Sequence, residues 1–385
     1  MSPRQLAKTV WYRARRARAR ALAAPRGLPW LRRRLRLPSN DRFDPLQSAA
    51  ADVRVTRLDP PGSFLRPLPD FPVNEPAARA FFAARAREAN GPAYVAEFAG
   101  GRAWGHPTGG VFTADGRFAP AFTHDPCGDD FHTVWMRLRL PRPRALRGKV
   151  LYLVTPEAAD NYHHWMIDLL PRLGLVRRAG HRLRDFTHVI VNHRRRPYQL
   201  ATLEHCGLDP DRIIAADASL HITADLLVVP SLKPDNQNLP PADLAFLREV
   251  FPAAAAGTRR RRLFLSRRDA AFRRLANEDA FRPLLEAHGF ELVTLAGLAP
   301  GAQARLFASA EVIAGPSGAA FANLAFAEPG TRVIEIAPPQ WPAVYHWMIS
   351  ARLGLSHGIV FGDGAVAAGL PDNAGRRRDL VLAPR

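Results

Sequence analysis

The chain has 385 residues, is 47% hydrophobic and carries a net charge of +19. That length and apolar share suit about two cored domains and exclude a disordered chain. Two cysteines, Cys127 and Cys206, exclude a disulfide framework and fit a reducing compartment, no run reaches the ~18–20 apolar residues of a membrane span, and no apolar core follows the basic start as in a secretory leader.

Residues 1–45 read as a basic N-terminal tail. Of the +19, +12 falls in residues 1–38, which hold no acid, and +7 in the other 347 residues. Leu6, Val10, Ala14, Ala17 and Ala21 recur at helical spacing, and Trp11 and Trp30 suit a lipid interface. An anionic membrane surface, a solvated arm and non-specific nucleic-acid contact all fit this stretch. No zinc-finger or helix-turn-helix pattern supports specific reading of nucleic acid. The expected location is cytoplasmic, including the inner face of the cell membrane.

Residues 41–75 are Pro-rich and read as irregular covering structure. Ala77–Glu88 reads as a helix, Tyr94–Phe98 and Val111–Thr113 as short strands, and Val150–Val154 as a strand. Asp160–Leu173, DNYHHWMIDLLPRL, follows as a helix with Asp160 as N-cap. At 100° per residue, Asn161, His164, Asp168 and Arg172 share one stripe, and Tyr162, Trp165, Met166, Leu169 and Leu173 another. The first stripe is expected on the open face. It fits either an exposed salt-bridge ladder or an acid/base row, with Asp168 orienting His164.

Thr187–Val191, Arg212–Ala215 and Leu226–Val229 read as strands and Tyr198–Cys206 as a helix, giving β-α-β-α-β up to a polar linker near 232–241. The alternation then repeats. A helix at Leu244–Val250 precedes a strand at Leu263–Leu265 that ends in Ser266-Arg267-Arg268. Guanidinium groups at a strand's carboxyl end suit a diphosphate, because they pair bidentately with phosphate oxygens. A helix over Asn277–His288, a strand over Phe290–Thr294 and a helix over Gln303–Ala310 follow.

Val312–Ala314, the turn Gly315-Pro316-Ser317-Gly318, a helix over Ala319–Phe326 and a strand over Arg332–Ile336 complete a doubly wound unit. Small residues at such a turn admit a ligand close to the backbone, and the helix start offers N–H groups to an anion. A tight packing turn is the alternative. A helix over Trp341–Leu355 and a tail with Arg376–Arg378 close the chain.

Several chemistries lack their motif. A nucleophile elbow needs G-x-S-x-G, and position 319 is Ala. The dinucleotide fingerprint, the Walker A lysine and any metal-ligand spacing are missing, so no cofactor and no metal are expected. Two α/β domains with an anion turn in the second point to a GT-B-like architecture, two Rossmann-like domains facing a cleft. Their expected bounds are 46–232 (acceptor side) and 240–340 (nucleotide-sugar side), with a C-terminal helix and tail at 341–385 packing back across both.

Three blocks, NYHHWMIDLLPRL, FLSRRDAAFRRLANEDAF and GFELVTLAGLAPGAQARLFASAEVIAGPSGAAFANLAFAEPGTRVIEI, in this order, resemble glycosyltransferase family 61 over about residues 148–340. Bacterial members of that family are often described as capsular-polysaccharide biosynthesis proteins. The resemblance implies a GT-B fold and inverting, metal-independent transfer from a nucleotide sugar to a glycan or lipid-linked glycan acceptor. The family's N-x-x-H-W block matches Asn161, His164 and Trp165; together with the helix spacing this makes His164 or Asp168 the expected catalytic base and Asn161, Trp165 and Arg172 acceptor-side positions. The resemblance places donor contacts at Arg267, Asn277, Glu278, Ser317, Gly318, Ala319, Asn323 and Glu335.

Two positions depart from the family pattern. Ser317-Gly318-Ala319 stands where His-Gly-Ala is frequent, and Ala302-Gln303 where Glu-Gln is. They keep open a second expectation, a non-catalytic partner of a membrane-associated polysaccharide assembly.

Overall fold

The computed structural model describes residues 3–28, 30, 39–71, 75–125, 132–137, 139–233, 235–252, 261–364 and 377–383. Cys127, Arg376 and residues 31–38 of the basic start lie outside them. Among the described residues no helix is long and apolar enough to cross a membrane. Two compact units emerge, Met1–Pro60 with Pro92–Leu232, and Pro61–Gly91 with Lys233–Arg385.

The expected 46–232 domain is therefore interrupted, since residues 61–91 join the second unit. Phe81 and Phe82 supply the reason: they pack with Trp347, Ala337 and Ile359 in one apolar cluster. The predicted helix Ala77–Glu88 is shorter, α2 (Pro76–Ala83) after α1 (Pro3–Gly27). Residues 41–75, expected to be irregular, contain β1 (Val53–Asp59) and β2 (Gly62–Leu65). β2 pairs antiparallel with β3 (Arg87–Asn90) in the second unit.

The first unit adds β4 (Ala93–Ala99), β5 (Arg102–Trp104), β6 (Val111–Phe112), β7 (Arg144–Tyr152), β8 (His188–Val191), β9 (Ile213–Ala215) and β10 (His221–Pro230). The main sheet runs β1-β4-β10-β7-β8-β9. β10, β7, β8 and β9 are mutually parallel, whereas β1 and β4 add antiparallel strands on one side. The predicted strands at Val150 and Leu226 were read too short. Their N-terminal halves carry Arg147, Lys149, Thr223 and Asp225, while the ends are buried apolar runs typical of parallel strands covered on both faces. β7 lies between β8 and β10, so the chain leaves it in both directions. Ligands bind outside the carboxyl ends of strands at such a switch point.

The basic start is helical over α1, and part of it is tied down. Arg15 donates to Asp125 at 3.1 Å and to Thr133 at 3.2 Å, and Arg18 donates to the Met136 carbonyl. Val10, Trp11 and Trp30 remain exposed.

In the second unit β11 (Arg261–Leu265), β12 (Phe290–Val293), β13 (Ala310–Pro316), β14 (Arg332–Ala337) and β15 (Ser356–Phe361) form an all-parallel sheet, order β12-β11-β13-β14-β15. Its switch point lies between β11 and β13. Residues 341–385, expected as a separate helix and tail, belong to this unit: a helix at Tyr345–Leu353, then β15. SHGIVF carries His and Gly and has no clean alternation, which hid the strand. Leu380 then packs with Phe264, Leu275, Ala314 and Ile336.

Candidate active site

In the first unit the site is built on the loop after β7. Two buried polar groups shape it. Arg172 donates to the Val154 carbonyl at 3.1 Å, to Thr155 Oγ1 at 2.9 Å and to the Pro230 carbonyl at 2.7 Å. It thereby joins the carboxyl ends of β7 and β10. Burial pushes the guanidinium down to about 9. Asn192 clamps Thr155 in both directions, accepting from its N–H at 2.9 Å and donating to its carbonyl at 2.7 Å. Arg172 therefore leaves the predicted row and holds the loop that carries it.

The N-cap is Asn161, one residue later than expected, its side chain accepting from the His163 N–H at 2.9 Å. Asp160 instead pairs with Arg194 at 3.0 Å. Only Tyr162–His164 is α-helical; Trp165–Leu169 is a π turn, and the α-helix resumes at Pro171–Arg178. The π turn adds a residue per turn and breaks the 100° stripes, so Arg172 points into the core, while Trp165 keeps the buried face that its apolar stripe predicts. The Trp165 indole donates to Thr202 Oγ1 at 2.8 Å and is wholly buried, which makes it a support for the site.

His164 and Asp168 do meet. Asp168 Oδ2 lies 2.7 Å from His164 Nδ1, and both side chains are buried, 6% and 8% exposed. That rules out the exposed ladder. On the other ring nitrogen, Glu157 Oε2 lies 2.7 Å from Nε2, with its own side chain 61% exposed. Glu157 has φ of 61°. A left-handed backbone at a non-glycine residue costs on the order of 1 kcal/mol.

Burial works against a charged imidazole, but hydrogen bonds and charges from Asp168 and Glu157 outweigh it, and His164 rises to about 9. Because this lies above the ordinary 6.5, the contacts stabilise the fold fully below pH 6.5. That contribution is lost as pH rises through about 9.

In the second unit the site sits at the sheet's switch point. Gly315 has φ of 150°, and a Cβ there would lie 2.7 Å from the Leu265 carbonyl, so β11 and β13 pack at this separation only around glycine. Gly318 is extended, and its constraint is space: a Cβ would fall 1.8 Å from Arg267 Nη1. The Arg267 guanidinium thus fills the space beside the Gly318 backbone, Nη1 nearest. Arg267 Nη2 donates to the Phe272 carbonyl at 3.0 Å. Burial lowers its pKa, opposed by the more distant charges of Asp269 and Asp379. Ser317 is buried, its N–H donating to the Ile336 carbonyl, and Ala319 is half-buried at the start of Ala319–Phe326. That segment is a 3-10 helix, tighter than the expected α-helix.

The other predicted donor residues take up structural partners. Asn277 starts the helix Glu278–Ala287 and donates to the Leu382 carbonyl at 2.7 Å. Glu278 is buried, accepting from Ser266 Oγ at 2.9 Å and from Arg268 Nε at 2.6 Å. Asn323 donates to Gln303 Oε1 at 2.8 Å and docks the 3-10 helix on the preceding one. Glu335 lies 2.7 Å from His346 Nδ1 and 3.2 Å from His357 Nε2. Burial opposes its charge, yet these two rings hold its carboxyl far below the usual range.

So the fold assembles two clusters, Glu157–His164–Asp168 in the first unit and Arg267–Ser317–Gly318–Ala319 in the second. Sequence reading missed Glu157, His346 and His357. Glu157 had one usable signal, an acid in the turn after the strand read at Val150–Val154.

Residues 162–334 match the family model described as Glycosyltransferase 61. The match takes in His164, Asp168, Arg267 and the 315–319 turn and covers somewhat under half of the chain. No curated protein matches the chain. The span resembling glycosyltransferase family 61 is thus matched by that family's own model, and the chain that carries it is a glycosyltransferase.

Proposed function

We propose that the chain moves a sugar from a nucleotide-sugar donor to a glycan acceptor, with inversion and without an essential metal, on a GT-B-like architecture. The observation that carries this reading is the Arg267 guanidinium beside the Gly318 backbone at the switch point between β11 and β13. A half-buried cation beside a helix start suits a diphosphate. Those groups would stabilise the charge growing on the leaving diphosphate, the task that a metal performs elsewhere.

His164 is the proposed base. Asp168 holds its Nδ1–H, and Nε2, which faces Glu157 here, is the nitrogen that would take the acceptor's proton once that carboxylate has moved off. In one displacement the acceptor oxygen bonds the anomeric carbon, the carbon–oxygen bond to the diphosphate breaks and its electron pair leaves with the phosphate. The acceptor proton goes to Nε2. A role in surface polysaccharide, whether capsule, exopolysaccharide or lipopolysaccharide, follows from the family resemblance.

Thermal stabilisation by UDP, GDP, CMP, ADP, TDP and their sugars, with and without EDTA, tests the donor half. A ligand at ~100 times its Kd adds ~2.7 kcal/mol. One nucleoside diphosphate is expected to stabilise, unaffected by EDTA. Binding without turnover on any acceptor would favour the second reading, a non-catalytic assembly partner, which Ser317 in place of His motivates.

We also propose that α1 lies on an anionic membrane surface from the cytoplasmic side. Its exposed Val10 and Trp11, with Trp30 just beyond, supply apolar contacts and its arginines the charge. The chain is expected to sediment with phosphatidylserine vesicles and not with phosphatidylcholine alone. Equal behaviour with both would reject this placement.

A further inference from the structure

The Glu157 carboxylate occupies the one position that the proposed base needs open. Its Oε2 lies 2.7 Å from His164 Nε2, where an acceptor hydroxyl would have to sit. Three features mark it as displaceable. The side chain is mostly exposed, whereas Asp168 on Nδ1 is buried. Its backbone is left-handed, a conformation that a glutamate keeps only under constraint. Its loop is clamped at Thr155 by Asn192 and Arg172, and its carbonyl accepts from the Asn161 N–H, so the side chain can swing without the loop moving.

We propose that Glu157 is a lock on the acid–base site: without acceptor it caps His164 Nε2, keeps the ring protonated and denies water the base; an acceptor hydroxyl displaces it, and the Nε2 proton leaves on the Glu157 carboxylate to solvent, which frees the lone pair for the acceptor's proton. This inference builds on His164 as the base. The lock would suppress a wasteful side reaction. With donor bound and Nε2 free, water could give its proton to the ring, bond the anomeric carbon and release the diphosphate with the electron pair. A ring already bearing a proton on Nε2 cannot accept another.

Among the described residues, the groups facing the ring include Asp168 on Nδ1, Glu157 on Nε2 and the His163 ring, edge-on at 5.4 Å. Asp160, on the same loop, is bound to Arg194. The rise of the His164 imidazole to about 9 is consistent with two carboxylates on one ring.

The test needs no substrate. The full chain, labelled with ring carbon-13 histidine, is titrated by NMR from about pH 5.5 to 9.5, and His164 is assigned by its loss in His164→Asn. In Glu157→Gln, which keeps the shape and removes the charge, the His164 midpoint is expected to fall by at least about one unit, tenfold in proton affinity. Glu157→Ala should match it. A midpoint that stays put in both variants overturns the lock.

A second readout is diphosphate release from the nucleotide sugar identified by thermal shift, without acceptor. Glu157→Gln should raise it several-fold at pH 7, and unchanged or lower release overturns the protective role. If no variant hydrolyses or transfers any nucleotide sugar while the midpoint falls as expected, the failure lies with the proposed function and not with the contact.

Discussion

Replacing His164 with Gln or Ala is expected to cut turnover at least about 10²-fold, the low end of what a positioned general base contributes. Nucleotide stabilisation should persist, because the Arg267 cluster belongs to the other compact unit. The imidazole bridges two carboxylates, so its loss leaves Asp168 buried without that bond. Some loss of stability is therefore expected in Ala, and Gln, which can still donate, separates folding from chemistry.

Asp168→Asn should be nearly as damaging for a different reason. An amide N–H facing Nδ1 would favour the tautomer that carries its proton on Nε2, and the base would be blocked. Activity within a few-fold of wild type for both His164→Gln and Asp168→Asn, on a folded protein, would remove this pair from the reaction.

Removing the guanidinium at the switch point should be the other large effect. Arg267→Ala is expected to lower kcat/KM about 10²-fold or more, the scale seen when a group stabilising developing charge is deleted. Gly318→Val should reproduce the loss from the opposite side. The extended backbone at 318 accepts any residue, but its Cβ would sit 1.8 Å from Nη1 and displace the guanidinium.

Arg267→Lys keeps charge without the planar fork and should fall between. Thermal shift by the cognate nucleotide should weaken in all three. Unaltered nucleotide binding in Arg267→Ala would dissociate Arg267 from the donor phosphates, whatever the rate. Ser317→Ala is the milder companion, since it removes only the hydroxyl and keeps the backbone N–H bonded to the Ile336 carbonyl.

The alternation of strands and helices, the turn at 315–318 and the i, i+4 meeting of His164 with Asp168 were legible in the residues. They depend on local periodicity, on glycine and proline punctuation, and on a spacing that survives even a π turn. The family blocks were legible for the same reason, being contiguous runs around those turns.

Longer-range features were not. Residues 61–91 join the second unit because Phe81 and Phe82 find Trp347 there, a contact some 265 positions away along the chain. Burial of the His–Asp row, and departure of Arg172 from it, follow from the π turn and from carbonyls at the ends of β7 and β10, which no helical wheel displays. Glu157 meets His164 because a left-handed residue turns the loop back on the helix that it precedes. Spacing along a chain specifies neighbours within an element. Which polar groups are left to satisfy one another is decided only when distant strand ends are packed together and water is removed.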